Sequence, residues 1–321
     1  MAIIRANEVG ERDDMKFFQI AKRTVLFLVV NILVMFTLGV ILSLFGVQRR
    51  LGTDNYTMLL IVCCAVGMGG AFISLLLSRW MAKMMHGVQV VDPNTTDRDE
   101  QWLVQTVYHL AKSAGLSAMP EVGIYQSPEI NAFATGPSEA QALVAVSSGL
   151  LHTMSPAEIE GVLGHEMTHV ANGDMVTMTL IQGVVNTIGM FLGWVLAIML
   201  SQGSRDNDRR GGGNFFLQYM LQSLFQNVFM VLGYLVVAKF SRWREFRADA
   251  GGARLAGREQ MLSALRRLKV IHEAGADHAG PANASLQALQ ISGKSGGFMA
   301  LLADHPPLEE RIARLERPAI G

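Results

Sequence analysis

Residues 155–173 read SPAEIEGVLGHEMTHVANG, and this stretch decides what the rest of the chain must build. Ser155-Pro156-Ala157-Glu158 is a capping box with proline at the first helical position. The Ser155 hydroxyl takes a free amide of the first turn while Glu158 reaches back to the cap. Asn172-Gly173 supplies a left-handed stop, so the pattern predicts a helix from about 156 to 171. His165-Glu166-Met167-Thr168-His169 falls well inside it. Side chains at i and i+4 share a helical face, so both imidazoles can grip one cation while Glu166 reaches a water beside it. The plainer alternative is a solvated helix face that happens to carry His and Glu.

The segment after that helix is unusual for a soluble enzyme. Val176 to Leu200 contains no charged side chain, and three more runs are long enough to cross a bilayer: Thr24 to Phe45, Thr57 to Leu77, and Phe215 to Phe240 with only Lys239 at its end. The composition agrees, with 17% charged residues, half the chain hydrophobic and a mean hydropathy of +0.29, against roughly 25% charged in ordinary soluble domains. Lys+Arg and Asp+Glu balance at 27 each, so no global field argues for a nucleic-acid partner. The first apolar run is too long for a cleaved secretory signal and reads as a retained anchor. Eleven Lys/Arg flank one side of the spans (Arg5 to Arg23, Arg79, Lys83, and Lys239 to Arg247) against five on the other (Arg49, Arg50, Arg205, Arg209, Arg210). That bias puts both termini, and the segment between the second and third spans, in the cytoplasm.

The expected architecture is a mostly α membrane protein, with four transmembrane helices plus a cytoplasmic α+β domain containing a small β-sheet. A tail occupies 1–23, a first hairpin 24–78 (spans 24–45 and 57–78), and a second hairpin 176–240 (spans 176–200 and 215–240). Segments 79–175 and 241–321 are each small for an independent core and together make one domain. Within them the pattern predicts a helix around 100–114, strands near 121–125 and 142–146, a helix over 242–269, a loop over 274–297 and a short helix around 307–314. Cys63 and Cys64, adjacent in an apolar run, read as reduced packing residues. Gly67-Met68-Gly69-Gly70-Ala71 predicts close helix packing in the first hairpin. Gln182 and Asn186 in the third span, and Gln218, Gln222 and Gln226 in the fourth, form polar stripes, read either as interhelical hydrogen bonding or as a wet groove toward the site.

A catalytic zinc takes three protein ligands and keeps one position open, so a third ligand must come from elsewhere. Glu245 and Asp249, four apart just after the fourth span, can serve: one ligates and the other orients an imidazole through its second nitrogen. Alternatively, they pair with Arg242, Arg244 and Arg247. His305, beside Pro306-Pro307, is a candidate either for stabilising an oxyanion or for capping the last helix. Because Asp174 stands at the start of the third span and Glu245 at the end of the fourth, the site is expected where cytoplasm meets membrane.

Several motifs together resemble one family. Asn131-Ala132-Phe133-Ala134-Thr135-Gly136, Gly164 to His169, Asn172-Gly173-Asp174, Arg244 to Asp249 and His305-Pro306-Pro307 are similar, in order, to those of the HtpX heat-shock membrane proteases. These are gluzincin metallopeptidases related to the CAAX prenyl proteases, and the likeness runs from about Thr24 to Leu315. It implies His165, His169 and Glu245 as ligands of one zinc ion per chain, Glu166 as catalytic base, and Asp249 and Asp174 as residues supporting the ligands. It also implies Asn131, Ala132, Phe133 and Ala134 as a substrate-binding edge strand. The implied activity is a zinc metalloendopeptidase of the bacterial inner membrane, acting in quality control on misfolded membrane proteins. Self-association and other quality-control proteases remain open as partners. Two rivals stand beside it. An intramembrane site-2-type protease would carry the His-Glu motif inside a span, whereas here it precedes one. A non-catalytic scaffold with a structural metal would need a fourth ligand and gain nothing from Glu166.

Overall fold

The computed structural model describes residues 53–202, 211–278 and 305–317. The expected tail 1–23, the first span 24–45 and most of the expected loop 274–297 lie outside the described residues. The chain divides into two compact units, one from residues up to 71 with 180–233, the other from 72–179 with 234–321.

Three described helices are long and apolar enough to cross a membrane: α1 (Thr53–His86), α5 (Asp174–Gln202) and α6 (Gly211–Leu255). They contain the expected second, third and fourth spans. Large apolar side chains such as Leu76, Phe216 and Leu224 stand more than half exposed on them. Such a surface is a liability in water and costs nothing in lipid. In the first unit α1 and α5 meet through small residues. A Cβ on Gly67 would lie 2.4 Å from the Thr187 hydroxyl, and one on Gly183 would lie 2.7 Å from the Met68 sulfur. Gly67 of the glycine cluster expected to serve the first hairpin therefore admits the third span, while the first span lies outside the described residues. Cys63 is buried there with Tyr56, Phe191 and Val195, and both cysteines are free. The polar stripes are bonded along their own helices: Gln182 donates to Asn186 at 2.8 Å and Gln222 to Gln226 at 2.7 Å.

The second unit is built on a four-stranded mixed sheet of β1 (Gln89–Val90), β2 (Glu121–Tyr125), β3 (Ala132–Thr135) and β4 (Leu143–Ser147), in the order β1-β2-β4-β3. β2 and β4 are parallel, and β1 and β3 are antiparallel edges. Period-two alternation sorts the side chains. Val122, Val144 and Val146 face a core shared with α2 (Arg98–Ser113) and α4 (Pro156–Asn172), while Tyr125, Leu143 and Ala145 face the other way, with Phe133 and Val88. β4 is buried at every position, which is why it reads as an unbroken apolar run. The helix α3 (Ser148–Thr153) leads from β4 into α4.

α4 has the expected ends. Ser155 accepts from the Glu158 amide, Glu158 accepts from the Ser155 amide at 2.7 Å, and Gly173 closes the helix at φ 65°. Ile159, Leu163, Met167 and Val170 anchor one face in the core. The opposite face carries Gly161, Gly164 and His165 against α6 and α7 (Arg258–His278). The sequence pattern predicts one helix over 242–269; the structure instead runs α6 unbroken from the fourth span to Leu255 and restarts at Arg258. Gly257, at φ 110°, supplies a backbone conformation that only glycine adopts without strain. The turn folds α7 back onto α4. Residues 274–278, expected in the loop, are the last turn of α7. The last helix, α8 (Leu308–Glu316), packs Leu308 against Met261 and Leu265 of α7.

Candidate active site

α4 and α6 bring three groups to one point. His165 Nε2 and His169 Nε2 lie 3.2 Å apart, His165 Nε2 is 3.3 Å from Glu245 Oε2, and His169 Nε2 is 3.3 Å from Glu245 Oε1. All three residues are buried. An ion bound tetrahedrally at about 2.0–2.1 Å holds its ligand atoms about 3.3–3.4 Å apart, so the two imidazoles stand close to such an edge and each meets its own oxygen of the carboxylate at a similar distance. Glu245 Oε1 is buried and accepts no hydrogen bond, with Arg244 Nε 3.6 Å away, so a cation would satisfy it.

Each imidazole is turned by a carboxylate on its other nitrogen. His165 Nδ1 is 2.9 Å from Asp249 Oδ1, and His169 Nδ1 is 2.7 Å from Asp174 Oδ2. These bonds put the proton on Nδ1 and point the Nε2 lone pairs inward. Burial opposes a charged His165, yet the hydrogen bonds to Asp249 and Glu245 outweigh it and raise its pKa to about 9. His169 is raised too, burial again opposing and Asp174 and Glu245 prevailing. The cluster therefore attracts positive charge, and a divalent cation displaces the protons it otherwise holds.

Of the other expected residues, Ala134 and His305 touch the site, while Phe133 packs on Tyr125 and His86 at the other face of the sheet. The Ala134 amide on edge strand β3 donates to Glu166 Oε2 at 3.0 Å, tying the motif's carboxylate to that strand. Asn131 precedes β3 and bonds through its main chain to Ser147. His305 Nδ1 lies 2.9 Å from Glu245 Oε2, its side chain 43% exposed.

Two features of the site escape the sequence reading. Arg311 of α8 is buried and grips Asp249 with Nε at 2.8 Å and Nη2 at 2.6 Å. The linear hint is slight: an arginine shortly after His305 in a helix whose other charges are exposed. The second is Gly251-Gly252, where α6 touches α4: a Cβ on Gly252 would stand 2.9 Å from the His165 amide nitrogen. A glycine pair next to a candidate ligand is the signal that could have found it.

The model of peptidase family M48 matches residues 97–319. The chain belongs to that family. It is 49% identical to the protease HtpX homolog of Methylacidiphilum infernorum over 92% of this chain and 98% of that one. It is 50% identical to protease HtpX of Shewanella halifaxensis (92% and 99%), and 46% to that of Escherichia coli (91% and 97%). In fold it is similar to the crystal structure of S. mikatae Ste24p, with a TM-score of 0.54 at 18% identity, covering 88% of this chain and 63% of that one. The resemblance read from the motifs is borne out, and the chain is an HtpX-type membrane metalloprotease.

Proposed function

We propose that the chain is an integral-membrane zinc endopeptidase that cuts unfolded segments of damaged membrane proteins at the cytoplasmic face. The observation that carries this reading is the convergence of His165 Nε2, His169 Nε2 and the Glu245 carboxylate, 3.2–3.3 Å apart in pairs, with one carboxylate oxygen toward each imidazole. These three are assigned as the ligands, with Asp249 and Asp174 holding the imidazoles. Two nitrogens and one carboxylate with a fourth position free form the donor set of a catalytic rather than a structural zinc. A zinc ion there supplies Lewis acidity toward a carbonyl and lowers the pKa of water.

Glu166 takes a proton from the attacking water and delivers it to the leaving amine as the C–N bond breaks. Its bond to the Ala134 amide sets its position relative to the strand that presents the substrate. β3 is an edge, so an extended peptide can add to it as a further strand, which selects unfolded chain over folded domains. His305, whose Nδ1 donates to Glu245, can donate to the oxyanion through Nε2 as the imidazolium, which carries a proton on both nitrogens. The Lys/Arg bias of the spans supports the cytoplasmic side. The position of the His-Glu motif on a helix that ends before the spanning run of α5 supports cleavage outside the bilayer core.

Metal content and cleavage of an unfolded protein, measured on the detergent-purified chain, test the reading. The expected result is about one zinc per chain, lost with Glu245→Ala together with cleavage, and retained in Glu166→Gln with cleavage abolished. Zinc and cleavage surviving Glu245→Ala would place the third ligand elsewhere. A parent that binds no metal and cuts nothing after zinc addition would favour the scaffold.

A further inference from the structure

The two metal-facing imidazoles are braced in different ways. Asp174, the brace of His169, is five residues away and sits at the start of the next helix, so local structure alone places it. Asp249, the brace of His165, is itself held from the far end of the chain. Arg311 Nε donates to Asp249 Oδ2 and Nη2 to Oδ1, a two-point grip that fixes the plane of the carboxylate. Asp249 Oδ1 is the same oxygen that takes His165 Nδ1. Arg311 Nη2 also lies 3.4 Å from His165 Nδ1. Both atoms carry hydrogen when Nε2 is left for a cation, so Asp249 between them, not a direct bond, joins the arginine to the ligand.

Arg311 arrives on α8 with Nη1 also 4.0 Å from Glu245 Oε2, while the helix itself is seated by contacts with other residues. Leu308, Ile312 and Leu315 pack on Met261, Leu265 and Leu268. Arg258 donates to the Leu315 carbonyl at 2.8 Å, and Arg266 pairs with Glu316 at 2.7 Å. The Arg314 guanidinium lies 3.6 Å over the Phe246 ring. If α8 lifts, Asp249 keeps its burial and loses its counter-charge, and His165 loses the group that fixes its ring.

We propose that α8 is a clamp on the metal site: it docks Arg311 as a positioning residue, so that metal retention and the docking of α8 are thermodynamically linked. This inference rests on the metal-site reading above. Linkage is reciprocal, so the metal must also hold the helix down.

The experiment is hydrogen exchange of residues 308–316 in the full-length, detergent-purified chain, zinc-loaded and zinc-stripped, alongside the rate at which a chelator extracts zinc. Stripping is expected to speed exchange across α8 by about tenfold or more, and Arg311→Lys, which keeps the charge but loses the two-point grip, to weaken zinc retention by about 10- to 100-fold. Leu308→Ala with Leu315→Ala, two side chains that pack in the α7–α8 cluster and bond to no ligand, is expected to speed both exchange and extraction. Equal exchange with and without zinc would overturn the clamp while leaving the ligand assignment intact. So would a double variant whose α8 exchanges faster while zinc leaves at the parental rate. A parent that never holds zinc would overturn the site reading and the clamp with it.

Discussion

Gly252→Ala is the sharpest probe of how the site is assembled. Glu245, Asp249 and Gly252 follow one another at i, i+4 and i+7 on α6, so the glycine lies on the face that carries the acids. An added methyl would stand 2.9 Å from the His165 amide nitrogen, 3.2 Å from its Cα and 3.0 Å from the Met261 sulfur. Ordinary carbon contacts are about 3.5–4.0 Å, and the two nearest α4 atoms are backbone that no rotamer change can move. Relief therefore requires α6 to draw back by roughly half an ångström or more, which exceeds the ±0.2 Å tolerance of metal–ligand distances. Overpacking of this kind costs about 1–3 kcal/mol, while replacing a helical glycine by alanine returns roughly 1 kcal/mol of helix propensity. Net stability thus falls by about 0–2 kcal/mol, a range too wide to make it a clear readout. Metal affinity, which feels the displaced geometry without that compensation, should drop by about 5- to 150-fold, the equivalent of about 1–3 kcal/mol. Competition with a calibrated zinc chelator reads this directly. Gly251→Ala is the control, because its methyl meets the Thr168 side chain, 2.2 Å from Cγ2, 2.5 Å from Oγ1 and 2.9 Å from Cβ, so Thr168→Gly, which removes all three atoms, should largely restore zinc affinity. No second change of that kind can rescue Gly252→Ala. Parental zinc affinity in Gly252→Ala would refute the claim that backbone contact between α4 and α6 sets the ligand spacing.

Asp174→Asn keeps the shape but weakens the acceptor that holds the His169 Nδ1–H, so zinc should bind about 10- to 100-fold more weakly with the fold retained, measured by chelator competition and circular dichroism. Ser155→Ala removes the capping hydroxyl at the start of α4, well away from every ligand, and should cost about 1 kcal/mol of stability with zinc affinity unchanged, read from thermal unfolding alongside metal content.

How much of this is legible in the sequence depends on whether the physics is local. The capping box at Ser155, the stop at Gly173 and the pairing of His165 with His169 are interactions between near neighbours, so the linear pattern contains them. The strands at 121–125 and 143–147 are apolar runs bounded by turns and are equally readable. The break at Gly257 is not, because a glycine after Leu255 and Ala256 is compatible with either a continued helix or a turn, and the packing of α7 onto α4 selects the turn. The polar residues of the spans are visible as stripes, but whether they bond along or between helices depends on neighbours the pattern does not name.

The sequence by itself determined the chemistry: two imidazoles four residues apart, a carboxylate beside the first, and further acids at Glu245 and Asp249, on a chain apolar enough to live in a membrane. Only the tertiary structure shows which of these groups face one another. Glu245 rather than Asp249 faces both Nε2 atoms, because α4 and α6 touch through Gly252 at one fixed rotation of the two helices. Asp249 is turned instead toward Nδ1 of His165 and fastened there by Arg311. That arginine carries no motif of its own, and it acquires its role because α8 delivers a buried charge to the one carboxylate that needs it.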